Sequence, residues 1–111
     1  MAMGLTTGLW IQAQVRLCDR RSIPAVVVRR GDPDAGAVLV KVNRFEAGVV
    51  VYGQIVDMDG EAAWMRGTGP TPVAEPAADA YIERQVRRDS DIWVLEIEDR
   101  RGEYDLDGKK M

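Results

Sequence analysis

Apolar and polar positions alternate or recur in blocks along most of the chain, and the blocks predict the elements. In residues 8–22, Leu9, Ile11, Ala13, Val15 and Leu17 alternate with mostly polar partners, as in a strand. The same stretch groups Leu9, Trp10, Ala13 and Leu17 on one side at helical spacing. Its Gln, Ala, Leu and Arg content, the cap candidates Thr6 and Thr7 and its basic last turn favour a helix. Ile23-Pro24 ends it, because a residue before proline avoids the α region.

Three β-like runs follow: Ala25 to Arg30, Ala37 to Arg44 and Gly48 to Asp57. Turn formers from Gly31 to Gly36 separate the first two, and Asp57-Met58-Asp59-Gly60 makes a hairpin turn into a fourth, shorter strand, Glu61 to Arg66. None of these gaps holds a crossover, which points to antiparallel pairing. After a loop through Gly67 to Pro72, Pro76 opens a helix with Asp79 in its first turn and Arg87-Arg88 at its end. Ala78, Tyr81, Ile82, Gln85 and Val86 share one of its faces. Asp89-Ser90-Asp91 stops it, and Ile92 to Asp99 alternates as a strand. Arg100-Arg101-Gly102 turns toward a weak last strand near Tyr104, and residues 107–111 fray.

The expected fold is therefore α+β: a mostly antiparallel sheet of five to six strands with two helices packed on one face. Trp10, Ile82, Val86, Trp93, Leu95 and Ile97 are its expected core. One domain spans 1–111, ordered over about 6–106 with short frayed termini. No internal repeat, linker or low-complexity tract interrupts it.

Composition narrows the chemistry. The chain has 111 residues, 46% of them hydrophobic and 30% charged, so it is neither a disordered tail nor a membrane protein. It contains no histidine, which removes the commonest general base and the commonest metal ligand. The single cysteine, Cys18, excludes an intramolecular disulfide and a cysteine-based zinc cluster, and reads as a small apolar residue at a packed face. A lone thiol and the lack of a leader pattern at Met1 to Thr6 point to the cytoplasm. Up to Arg88 there are 11 basic and 10 acidic residues; beyond it there are 4 and 8, for a net charge of -3. The isoelectric point near 4.9 disfavours a nucleic-acid partner. Arginine outnumbers lysine twelve to three, which suits carboxylate or phosphate recognition and equally a genomic bias.

Three stretches resemble, as a set, the alphaproteobacterial proteins grouped as domain-of-unknown-function family 1491. They are Gly8-Leu9-Trp10; the run Pro24 to Lys41 with Arg29-Arg30-Gly31-Asp32 and Gly36-Ala37-Val38; and Arg84-Gln85 followed by Trp93-Val94-Leu95-Glu96-Ile97-Glu98-Asp99. The resemblance runs from about Leu5 to Leu106. It implies a one-domain bacterial protein and brings no catalytic residues with it.

Short motifs add little. Arg30-Gly31-Asp32 spells an adhesion tripeptide but follows a strand as a turn. Asp57-Met58-Asp59-Gly60-Glu61 lacks the spacing of a calcium loop, and Gly67-Thr68-Gly69 lacks the third glycine and the lysine of nucleotide loops. Glu96 and Glu98 lie on one strand face about 6–7 Å apart, a spacing open to Mg²⁺ or to an acid/base pair, or simply a solvated sheet face paired with arginines. If the turn after Arg30 pairs the first two strands, Val26, Val28, Val38, Val40 and Val42 share an apolar face. Val27, Arg29, Leu39, Lys41 and Asn43 then share the other, which Tyr52, Gln54, Glu96 and Glu98 could join.

That mixed-charge face is the expected recognition surface of a non-catalytic binding or regulatory module, with Arg29, Lys41, Asn43, Tyr52, Gln54, Arg84, Glu96 and Glu98 as candidate binding residues. The alternative is a small Mg²⁺-dependent or nucleotide/phosphate-binding enzyme in which Arg29 or Arg84 clamps phosphate. No cofactor and no resident metal are expected. The partner is a protein or a small molecule, not a membrane, and a homodimer through an exposed strand suits a domain this small.

Overall fold

A computed structural model describes residues 6–111, so the readings of Met1 to Leu5, frayed end and leader pattern alike, fall outside the described residues. The first helix, α1 (Thr7–Arg20), is capped by Thr6, whose hydroxyl accepts from the Leu9 amide. Helical spacing prevails over alternation because Trp10, Ile11, Gln14 and Cys18 form one buried stripe. Leu9 and Leu17, expected on the packed side, are half exposed. Arg21 and a left-handed Ser22 (φ 58°) turn the chain before Pro24.

The strands are β1 (Ala25–Arg29), β2 (Val38–Asn43), β3 (Val49–Val56), β4 (Ala62–Arg66), β5 (Trp93–Glu98) and β6 (Lys109–Lys110), with α2 (Glu75–Arg88) between β4 and β5. They form one six-stranded sheet in the order β1-β5-β2-β3-β4-β6. Pairing is antiparallel for β1/β5, β2/β3 and β3/β4, but parallel for β2/β5 and β4/β6. The sheet is thus mixed, not mostly antiparallel. Both parallel pairs join strands far apart in sequence, with whole strands or α2 between them, so the short gaps between consecutive strands say nothing about them.

The expected pairing of β1 with β2 is replaced by insertion of β5 between them. Residues 31–36 are committed to the turn before β5: the Asp32 amide donates to the Asp91 carbonyl (2.9 Å) and Trp93 Nε1 donates to the Asp32 carbonyl (2.7 Å). A Cβ on Gly31 would lie 2.1 Å from the Asp91 carbonyl oxygen, so only glycine admits this approach.

The two helices cover opposite faces, not one. Under α1, Trp10, Ile11 and Cys18 join Val38, Val40, Val42, Trp64, Trp93, Leu95 and Ile97. Trp10 and Trp64 meet at 5.5 Å between ring centroids. Under α2, Ala78 joins Leu39, Val49, Val51 and Val94, with Tyr81, Ile82 and Val86 half-buried beside them. The physical reason lies in β2, which is buried at all six positions, as a central strand with parallel pairing needs cover on both sides. In β1, Val27 faces the α1 side while Val26 and Val28 are exposed, the reverse of the expected alternation.

At the chain's end, Lys109 and Lys110 pair with Ala63 and Trp64, and the Met111 amide donates to the Trp64 carbonyl. The segment expected to fray is tied to the sheet by backbone bonds, and no strand forms at Tyr104.

Candidate functional site

The face carrying Lys41 and Asn43 is a buried contact with α2. The Lys41 ammonium lies 2.7 Å from Glu75 Oε2, 2.8 Å from Asp79 Oδ1 and 3.3 Å from Glu96 Oε1, with its side chain 5% exposed. Glu75 and Asp79 are one helical turn apart, so both reach the same cation. Burial by itself would lower the lysine pKa, but the bonds from Asp79 and Glu75 and the charge of Glu96 together raise it, keeping the ammonium protonated. Asn43 Nδ2 donates to Glu75 and its Oδ1 accepts from the Phe45 amide.

The remaining candidates are not brought to this cluster. Tyr52 is buried on the α1 side of the sheet, and Gln54 uses its Oε1 to accept from the Val38 amide. Arg29 donates to the carbonyls of Ser90 (2.9 Å) and Ile92 (2.8 Å), tying β1 to the turn before β5. Arg84 is exposed on α2, 6.0 Å over the Tyr81 ring. The open mixed-charge sheet face expected from the sequence is therefore closed by α2. The phosphate and Mg²⁺ candidates are likewise separated: Glu96 is paired with Lys41, while Arg29 and Arg84 are held elsewhere. Among the described residues, no group of three or more Asp, Glu or Cys side chains is arranged to hold a metal.

An open site forms instead where the segment entering β1 meets the carboxyl end of β5. A cleft of about 220 Å³ is walled by Arg21, Ser22 and Pro24 on one side and by Glu98, Arg100, Arg101 and Glu103 on the other. The Glu98 amide donates to the Pro24 carbonyl (2.9 Å), which brings the segment after α1 against the segment after β5. The floor is set by Asp99, 2% exposed, whose carboxylate accepts from the amides of Glu103 (2.8 Å) and Tyr104 (3.0 Å). Arg44 Nε lies 3.8 Å from the same carboxylate. Arg100 stacks 3.7 Å over the Phe45 ring. Phe45 and Ser22, both at φ 58°, are the two left-handed non-glycine residues among those described, and both lie at this end of the sheet.

Of the expected binding residues only Glu98 lines this cleft. Arg21, Ser22, Arg100 and Arg101 were missed as a set because their proximity depends on the β1/β5 pairing. The local signals were the Arg-Arg turn after an alternating strand and the abrupt end of α1 before Ile23-Pro24.

The family model described as "Protein of unknown function (DUF1491)" matches residues 5–107. The chain belongs to this family. It is similar to the crystal structure of a DUF1491 protein from Caulobacter crescentus CB15, at 42% identity and a TM-score of 0.85 over 96% of this chain and 99% of that one. An NMR structure of a DUF1491 protein from the same organism gives 42% identity and a TM-score of 0.84 over 99% of each chain. A solution structure from A. tumefaciens gives 26% identity and a TM-score of 0.73 over 96% of this chain and 92% of that one. No curated protein matches the chain. The α+β architecture is thus shared with solved DUF1491 proteins, and the family description assigns no activity. No helix among the described residues is long and apolar enough to cross a membrane.

Proposed function

We propose that this protein is a non-catalytic binding module of the cytoplasm whose ligand seat is the cleft between the segment entering β1 and the carboxyl end of β5. The observation that carries the reading is the convergence on that cleft of Arg21, Arg100 and Arg101 with the left-handed Ser22, whose backbone costs about 1–3 kcal/mol and persists only where the surroundings hold it. Arg21, Arg100 and Arg101 supply forked donors for a carboxylate or phosphate, while Glu98 and Glu103 offer acceptors to an amine or hydroxyl on the same small molecule. The buried Asp99 holds the 99–104 turn without being spent on the ligand. The cytoplasmic assignment rests on Cys18, a lone thiol kept buried and protonated.

The test is a titration of ¹⁵N-labelled protein with inorganic phosphate and a panel of small carboxylates and amino acids. The reading expects saturable shifts confined to residues 21–24 and 98–103, lost in Arg100→Ala/Arg101→Ala. Shifts absent at millimolar ligand, or scattered over the surface, would overturn it.

A further inference from the structure

We infer that the outer edge of β1 is where a second copy of this chain pairs, antiparallel about a two-fold axis at Val26. The sheet has two ends, and they differ. Beyond β4 the edge is closed by the two-residue β6, which carries Lys109 and Lys110, a short and charged end of the kind that discourages further pairing. The β1 strand itself carries no such guard, and the charges beside Ala25 and Val26 are Arg16 and Asp19 of α1, one of each sign. Its residues 25–28 read Ala-Val-Val-Val, with Val26 and Val28 55% and 58% exposed. The first charged residue, Arg29, is turned inward onto the carbonyls of Ser90 and Ile92, so it does not cover the edge.

Backbone phase selects the register. Because the Pro24 carbonyl accepts from the Glu98 amide, strand alternation points the peptide groups of Val26 toward β5 as well. Those of Ala25 and Val27 point outward. With the axis at Val26, Ala25 of one copy exchanges both its N–H and C=O bonds with Val27 of the other, and the reciprocal pair does the same. Four outward donors and acceptors on each copy are satisfied at once. The same register sets Val26 against its symmetry mate and Val28 against Pro24 on one side of the joined sheet, with Ala25 against Val27 on the other. Every facing pair from Pro24 to Val28 is apolar, so this edge is complementary to itself, which is what recommends a second copy as the occupant. The irregularity between Val27 and Arg29 begins beyond the residues that exchange bonds and limits the contact to this short run. So short an edge covers less than the about 1,200 Å² of a standard interface, so the dimer is expected to form over tens to hundreds of micromolar and not at nanomolar concentration.

The experiment is sedimentation velocity from about 10 µM to 1 mM, with a mixed ¹³C/¹²C-labelled sample to detect contacts between copies. The weight-average mass is expected to climb toward twice the monomer, with intermolecular contacts between Val26 methyl groups. Val26→Lys should hold the protein monomeric at 1 mM. Val28→Lys, at an equally exposed position, is the second variant should the first perturb folding, with circular dichroism confirming the fold. A wild-type monomer at 1 mM overturns the inference. So does a dimer that survives both lysine substitutions, which would place the contact on another surface.

Discussion

Replacing Lys41 with methionine keeps an unbranched apolar stem in the space between sheet and α2 and removes the cation that faces Glu75, Asp79 and Glu96. Removing one partner of a fully buried ion pair costs about 3–5 kcal/mol, because the remaining charge stays desolvated. Here Glu75 and Asp79 are about half exposed and rehydrate, while Glu96 is 20% exposed and does so less well. Discounting for that screening leaves about 2 kcal/mol. For a chain of this length, an unfolding entropy of about 0.23 kcal/mol per degree converts this to a Tm lower by about 8–9 °C. Differential scanning calorimetry at low ionic strength measures it directly.

The pH behaviour follows from the sign of the shift. The folded pKa of Lys41 is raised above its ordinary 10.5, so its contribution is complete below that value and disappears only as pH rises through the folded value. The gap between wild type and variant should therefore stay constant, as far as this proton is concerned, from about pH 6 to 9. Adding Glu96→Gln to the variant should recover most of the loss, since the least hydrated carboxylate then no longer needs a counter-charge. A Lys41→Met protein melting within about 2 °C of wild type would refute the reasoning, because the lysine would then not be compensating those carboxylates.

Two further outcomes follow from the packing. Gly31→Ala should lower stability by about 3 kcal/mol, read as a lower urea midpoint, since its Cβ would lie 2.1 Å from the Asp91 carbonyl oxygen and force two backbones apart; an unchanged midpoint would contradict the close approach. Burial, with a smaller push from Asp99 against the pull of Arg21, raises the Cys18 pKa, so a thiol reagent should react about 100-fold more slowly with native protein than in urea. Rapid native labelling would show that α1 opens readily.

What depends on neighbours in the chain is legible in the sequence itself. Thr6 ahead of a Gln- and Ala-rich run, Pro24 closing it, Asp57 to Gly60 turning a hairpin and Pro76 opening α2 are all decided within about four residues, by capping, fixed φ and turn chemistry. The burial of Trp10, Trp93, Leu95 and Ile97 follows from the same local patterns. The chain's own residues also carry the family resemblance, and the family match bears it out.

Strand order is a different matter. The alternation along Val38 to Val42 suits either neighbour equally, and it is the tertiary packing, with Gly31 and Asp32 held against Asp91, that sets β5 between β1 and β2. That single insertion moves Val26 and Val28 to an open edge. It also sets β2 at the centre of the sheet, where each face needs a helix, and so buries Lys41 among carboxylates from α2 and β5. The cleft has the same origin, since Ser22 and Arg100 are 78 positions apart and meet only because Ala25 pairs with Ile97. Local propensity chose the elements; long-range pairing, set by backbone hydrogen bonds and two-sided burial, chose which residues they present to one another.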